Sequence, residues 1–456
     1  MHNTNSLAPL APTRANRQPS GPRPRYPLQS VFDLATNKLS LFRGMARHAD
    51  VSQIQIGPRR VVLLNHPDDI QQMLVAQQRS FVKGRALDMT KVLLGDGLLT
   101  SEGAHHLRQR RLIQPSFHKD RLASYGAAMI DLADRMQRGW IANESLDIHA
   151  HMMRVTLAIA ARTLFDADVE GDVNDVAETL ELSLRMFNHA ILPMGALLEY
   201  VPMPWIRRLH RSRRRLDVLI HRLIEERRAD VTDRGDLLSM LIATRDDEGD
   251  HTGMTDKQLR DELVTLMLAA HETTANAMTW TWYLLSQNPD AEAKLHEELD
   301  RVLAGRTPTP ADLPKLTYAR QVMAESMRIF PPAWAIGRRA TEDVEIGGYT
   351  IRKGTAVLAC QYFVHRDPRW WPEPDRFRPE RWAEAAPDRP KFAYFPFGAG
   401  TRICVGEQFA WMEGTLLIAT IAQRWRIRYD ETEAPIPMPL VTLRPRDGLR
   451  MRLEAR

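Results

Sequence analysis

Cysteine is nearly missing from this chain of 456 residues, which holds only Cys360 and Cys404. Two thiols form at most one disulfide, so no disulfide framework holds the fold, and a reducing, cytoplasmic setting is expected. No run of about 18 apolar residues occurs, which leaves no readable membrane span. The opening stretch MHNTNSLAPLAPTRANRQPSGPRPRYP lacks a hydrophobic segment after a charged start and is not a secretory signal. Rich in Pro, Arg, Asn and Ser, residues 1–27 are expected to form a disordered lead-in. Neither charge dominates: 62 Lys and Arg face 57 Asp and Glu, for a net +5. The densest basic run, Ile206 to Leu216, is expected to be a solvated helix face and not a nucleic-acid or membrane patch. The hydrophobic fraction of 44% and charged fraction of 26% suit a globular protein with a sizeable core.

The present features begin after residue 28. DVSQIQIGPRRVVLLNHP alternates around a Gly-Pro turn and predicts two short strands in a hairpin, followed by a helix over DDIQQMLVAQ. Helical periodicity dominates from 104 to about 300, with breaks near 193–204 and 248–253. From about 338, EDVEIGGYTIRKGTAVLACQYF predicts short strands joined by Gly turns, and a Pro- and Trp-rich loop follows. With no internal repeat and no linker, the expectation is one mainly α domain over 28–456 with a small β portion and a long central helix.

That helix is TDKQLRDELVTLMLAAHETTANAMTWTWYLLSQNP. Thr255 and Gln258 form a capping-box start and Pro289 ends the run, which is about 50 Å long. LVTLMLAA is apolar on all sides and should be buried. Into it the chain places His271, Glu272, Thr273 and Thr274. A buried carboxylate is costly without a partner. Ala269 and Ala270 leave space beside Thr273, and an acid and an alcohol beside a hollow suit proton delivery. The alternative is a Thr273 that bonds back to a carbonyl and a Glu272 that caps a neighbouring loop. Glu325 and Arg328 share one helix face, and Arg381 is a candidate second partner for Glu325. Cys404 lies in FPFGAGTRICVG, a glycine-rich turn beside Arg402 and before a helix start, where a thiolate is favoured. Cys360, in AVLACQYF, is expected to be core.

Together these pieces resemble the cytochrome P450 family of haem-thiolate monooxygenases, in its bacterial soluble type. Phe397, Gly400, Arg402, Cys404 and Gly406 meet F-x-x-G-x-R-x-C-x-G; AAHETT at 269–274, ESMR at 325–328 and PERW at 379–382 match the family's further motifs in order. The resemblance implies haem b (iron protoporphyrin IX), with Cys404 as the iron ligand and Phe397 packed on the cysteine side. It implies His106, Arg110, Arg338 and Arg402 as propionate donors, Glu272 and Thr273 as the proton-delivering pair, and Glu325, Arg328 and Arg381 as structural. The family commonly has Gly where Ala270 stands, and the extra methyl is expected to narrow the oxygen groove or the substrate space.

The activity implied is insertion of one oxygen atom of dioxygen into a hydrophobic substrate of terpenoid, steroid, fatty acid or macrolide type. The pocket is expected from segments 81–97, 185–200, 331–337 and 439–443. Because 52 residues follow Cys404, no fused electron-transfer domain is expected, and a ferredoxin or flavodoxin with an NAD(P)H-dependent reductase is implied. Arg108, Arg111 and Lys119 are candidates to meet an acidic donor. A monomer is expected. The alternatives are a peroxygenase, an oxygen-independent isomerase or dehydratase on the same fold, or a non-catalytic haem sensor.

Overall fold

The computed structural model describes residues 17–26, 28–166, 179, 182, 204–230, 232, 234–246, 248–249, 251–383 and 388–456. The expected pocket segment 185–200 lies outside them.

The hairpin forms as read. Strand β1 (Val51–Ile56) pairs antiparallel with β2 (Arg59–Leu64), from Val51 opposite Leu64 to Ile56 opposite Arg59. Gly57 takes φ 56° at the turn, a conformation that glycine adopts without a Cβ penalty. The segment after it is not one regular helix. Pro67–Gln71 is α-helical and Gln72–Ala76 widens into a π turn. Three more strands complete this sheet: β3 (Phe81–Lys83), β5 (Ile336–Ala340) and β8 (Ala356–Ala359), in the order β1-β2-β8-β5-β3. The other strands form small pairings: β4 (Ser145–Asp147) with β12 (Arg450–Ala455) and β9 (Trp425–Arg428), β6 (Val344–Ile346) with β7 (Tyr349–Ile351), and β10 (Pro437–Pro439) with β11 (Leu443–Pro445). The β5–β3 register sets Lys83 opposite Arg338, so residues far apart in sequence become neighbours.

The rest is helical. The helices that bear on the site are α1 (Gly103–Ile113), α2 (Ile148–Phe165), α3 (Pro204–Ala229), α4 (Asp256–Ser286), α5 (Thr317–Ile329) and α6 (Glu407–Ala422). Helix α4 runs 31 residues, about 46 Å. Its capping box is complete: Gln258 N–H donates to Thr255 Oγ1 at 3.2 Å, and Thr255 N–H to Gln258 Oε1 at 2.9 Å. It packs along α2 and supplies side chains to two apolar clusters. One gathers Met278, Trp282 and Leu285 with α5 and α6; the other gathers Leu259, Leu263 and Val264 with α3. The basic run of α3 lies largely on its exposed side, with Leu209 and Leu216 turned inward. Cys360 is buried, and burial pushes its thiol up to about 12. Residues 17–20 already touch strands of two sheets: Thr350 N–H of β7 donates to the Arg17 carbonyl and Gln53 N–H of β1 to that of Ser20.

Candidate active site

The cysteine loop is built by backbone. Gly398 and Gly400 have φ of 72° and 69°, and a Cβ on Gly400 would collide with the Leu74 carbonyl. Cys404 N–H donates to the Phe397 carbonyl at 2.9 Å. Phe397 packs on Trp411 of α6 with ring centroids 5.6 Å apart. From behind, Gln361 Nε2 donates to the Phe395 carbonyl at 3.1 Å, while Phe395 N–H donates to His365 Nε2 at 3.0 Å. Cys404 is exposed on one side and closely surrounded on the others. Burial pushes the thiol up to about 11, with Glu407 adding to it, against the opposing Gly406 N–H and Arg110. Arg402 turns away, to the Ser101 carbonyl at 2.9 Å and to Glu102. Coordination to a metal cation at this place would remove the thiol proton outright.

A cluster of basic side chains stands beside the loop. His106 and Arg110 share one side of α1, and Arg110 Nη1 donates to the Ile403 carbonyl at 2.7 Å, tying α1 to the cysteine. Arg338 enters from β5 and Arg402 from the loop. Lys83, which the sequence reading missed, enters from β3: it is buried, and its Nζ donates to the carbonyl oxygens of Leu98, at 2.8 Å, and Leu99. The mutual effects show how close these groups are. Burial, Arg402 and Arg338 lower Lys83 to about 7 against Glu102 and Glu262. Burial, Arg402, Lys83, Arg110 and Arg338 lower His106 to about 3. Burial and Arg402 lower Arg338 to about 10 against Glu102. Glu102, also missed, pairs with Arg402 and accepts the Lys83 N–H at 2.6 Å. Arg110, Arg338 and Arg402 bring three guanidinium charges to Glu102, with His106 a neutral donor beside them; this leaves positive charge for further anions, and a cofactor bearing two carboxylates fits that surplus. The residues therefore fit haem, with the cysteine for its iron and this cluster for its propionates.

Helix α4 carries the third part. Residues 259–267 and 274–282 are buried, but Leu268, Ala270 and Thr273 are half-buried and Ala269 is exposed. The expectation that LVTLMLAA is buried all round is thus corrected: the helix opens on one side, at its two alanines. Thr273 Oγ1 donates to the Ala269 carbonyl at 2.7 Å, on the notched side. Glu272 is 1% exposed, and its Oε1 accepts the Thr442 hydroxyl at 2.7 Å. Burial raises its carboxyl, against Thr442 and Arg444. Ala270 and Val405, next to Cys404, pack against the same apolar cluster. His271, which burial lowers to about 4, lies among buried residues.

The structure brings Glu325, Arg328 and Arg381 together. Arg328 Nε and Nη2 each donate to Glu325 at 2.8 Å, and Arg381 Nε donates at 2.9 Å. Trp382 Nε1 and Arg378 N–H add two bonds at 3.0 Å each. Arg328 Nη1 reaches the carbonyl oxygens of His365 and Pro374, so the cluster braces the loop that leads to Cys404. Of the candidate docking cations, Arg111 pairs with Asp246 at 2.8 Å, and Arg108 donates to Thr252 and Gly253 on the loop before α4. Their charge is engaged internally. The Lys119 side chain lies outside what the structure describes.

Comparison with known proteins agrees with this assembly. The sequence profile described as Cytochrome P450 matches residues 19–450. The chain is 40% identical to cyclooctatin synthase of Streptomyces melanosporofaciens, over 91% of this chain and 89% of that protein. It is 35% identical to cyclooctat-9-en-7-ol 5-monooxygenase of the same species, over 95% of each chain. It is 34% identical to pentalenene oxygenase of Streptomyces avermitilis, over 93% of this chain and 95% of that protein. The chain belongs to the cytochrome P450 family and is a monooxygenase.

Proposed function

We propose that this cytochrome P450 inserts one oxygen atom into a hydrophobic terpenoid-type substrate, with electrons from a separate ferredoxin or flavodoxin and its reductase. The observation that carries the reading is the notch in α4, where Ala269 is exposed and Thr273 half-buried beside a buried carboxylic acid. Relatives named as oxygenases of an alkenol and of an olefin support the substrate class. The apolar lining supports it too: Ala269, Ala270 and Leu268 offer no polar atom beyond the backbone.

Bound haem supplies oxygen activation, aided by electron density from its thiolate ligand. The protein's own residues do the rest. Cys404 would hold the iron, and the close approach of Gly406 lets its N–H reach the sulfur. His106, Arg110, Arg338 and Arg402, with Lys83, hold the propionates. Glu272 gives up a proton and Thr273 passes it into the notch; its hydroxyl, anchored on the Ala269 carbonyl, keeps an oxygen lone pair for the incoming donor. The methyl of Ala270 narrows the groove at this point. Glu325, Arg328 and Arg381 keep the cysteine loop in place.

The first test is the carbon monoxide difference spectrum of the reduced protein. A strongly red-shifted Soret band is expected, absent in Cys404→Ser; retention in that variant removes Cys404 as the ligand. Spin-state titrations with polycyclic olefins, a long-chain fatty acid and a macrolide then test the substrate class. A shift with the fatty acid or the macrolide alone overturns the terpenoid assignment.

A further inference from the structure

Thr442 is the only residue seen to hydrogen-bond the Glu272 carboxyl among the described residues. It lies at the end of the 439–443 segment, 170 positions from Glu272, and is 4% exposed. Its oxygen also accepts Asn276 Nδ2 at 3.0 Å. Asn276 stands one turn beyond Glu272 on α4, and its Oδ1 is buried without a partner. Glu272 Oε2 is likewise buried without one.

The segment that carries Thr442 is tightly held. Trp280 Nε1 donates to the Leu443 carbonyl at 2.9 Å, Leu443 N–H to that of Pro332 at 2.9 Å, and Trp334 Nε1 to that of Leu440 at 2.9 Å. Thr442 is therefore a fixed point, so its hydroxyl can orient a carboxyl on another element.

We propose that Thr442 and Asn276 form a reversible hydrogen-bond chain that positions Glu272 and adapts to both of its protonation states. With Glu272 ionised, the amide of Asn276 donates to Thr442 and Thr442 donates to Oε1. With Glu272 protonated, its O–H donates to Thr442, Thr442 donates to Asn276 Oδ1, and the amide turns over. A carboxyl in a dry site can then release and regain a proton without leaving Thr442 unsatisfied, a state that would cost more than the bond itself contributes. The bare Oε2 stays available for the proton in transit. Arg444, the cation next along the chain, stabilises the ionised form. The chain rests on the proposed role of Glu272 as proton donor and adds residues to it that no motif names.

The test compares Glu272→Gln, Thr442→Val and Thr442→Ser in the haem-loaded protein. Two readouts are used: the infrared carboxyl band of resting enzyme as a function of pH, and the share of reducing equivalents lost as peroxide. Thr442→Val is nearly isosteric. It should move the Glu272 titration to higher pH and divert several-fold more electrons to peroxide, while Thr442→Ser restores both. A Thr442→Val protein with unchanged titration and unchanged peroxide overturns the chain. If Thr442→Val does not fold, Asn276→Leu serves, with the same two shifts expected and the same null result decisive. Peroxide unchanged in Glu272→Gln overturns the donor role itself; peroxide raised there but not in Thr442→Val removes only the positioning.

Discussion

Glu325 and Glu272 are both buried glutamates within reach of the cysteine loop or the notch, and they are solvated by the protein in opposite ways. Glu325 is 0% exposed and accepts five hydrogen bonds, three of them from guanidinium groups. Glu272 accepts one, from a neutral hydroxyl, and leaves its second oxygen bare. A carboxylate saturated by donors ties their elements together and does structural work. One that is half-satisfied is raised by burial with little to oppose it, which suits a group that must hand on a proton. Burial alone does not separate the two; the donor set does.

The largest effect should follow from breaking the saturated site. Glu325→Ala leaves Arg328 and Arg381 buried without a counter-charge, a loss of about 3–5 kcal/mol for a broken buried pair. It also frees the loop that leads to Cys404. We expect no soluble, haem-loaded protein, read from the yield and the carbon monoxide band of cell extracts. A normal yield with a normal band would mean that Glu325 is no more structural than Glu272.

Glu272→Gln should do the reverse. The amide still accepts from Thr442 and buries no charge, so stability should change by about 1 kcal/mol or less. Product formation should fall roughly 10²-fold, the usual contribution of a positioned proton donor. Denaturation midpoints and product yield per electron consumed decide it together. A large loss of stability with little loss of product would invert the comparison.

How far the two glutamates could be told apart in the sequence depends on where their partners lie. Glu325 and Arg328 are one turn apart, so that pair is visible in a helix pattern. Arg381 joins 56 positions later, and a shared motif order suggested it. The capping box at Thr255 and the turn glycines around Cys404 are local chemistry, and they were legible for that reason. Thr442 meets Glu272 only because β11 begins beside α4, and no spacing encodes this. Lys83 escaped notice likewise: it becomes part of the basic cluster through the register that sets it opposite Arg338. The notch was read half correctly. Small residues signalled space, but an all-apolar stretch also signals full burial, and only the packing of neighbours decides between them.

A smaller effect is expected at Thr273. Its hydroxyl bonds back to the Ala269 carbonyl within α4, so Thr273→Ala removes one local bond, and the stability change should stay near 1 kcal/mol. The alcohol itself is what the notch loses. Electron consumption should continue while peroxide rises at the expense of product, measured together in one turnover assay. An unchanged ratio would leave Glu272 as the sole proton-handling group at the notch.

Glu413 makes a third case, and it sharpens the rule with the smallest change. It is buried on α6, and among the described residues neither oxygen has a hydrogen-bond partner at normal distance. Burial pushes its carboxyl up to about 8, opposed by the Thr274 hydroxyl. A carboxyl raised in this way keeps its proton in the folded chain at pH values where the unfolded chain has lost it. Folding then takes up a proton, and this group's contribution falls as pH rises from the ordinary value of 4.5 to about 8, with no further change above that. Glu413→Gln removes the titration and keeps the shape. The variant should match the parent at the acid end of the window and gain thermal stability over it toward the alkaline end, by a few degrees at most. Thermal midpoints of both proteins across that range give the difference directly, and contributions from other groups such as Glu262, raised to about 7, cancel between them. Parallel curves would mean that Glu413 is ionised in the fold, and that an unpartnered carboxylate is tolerated here for a reason other than the donor set.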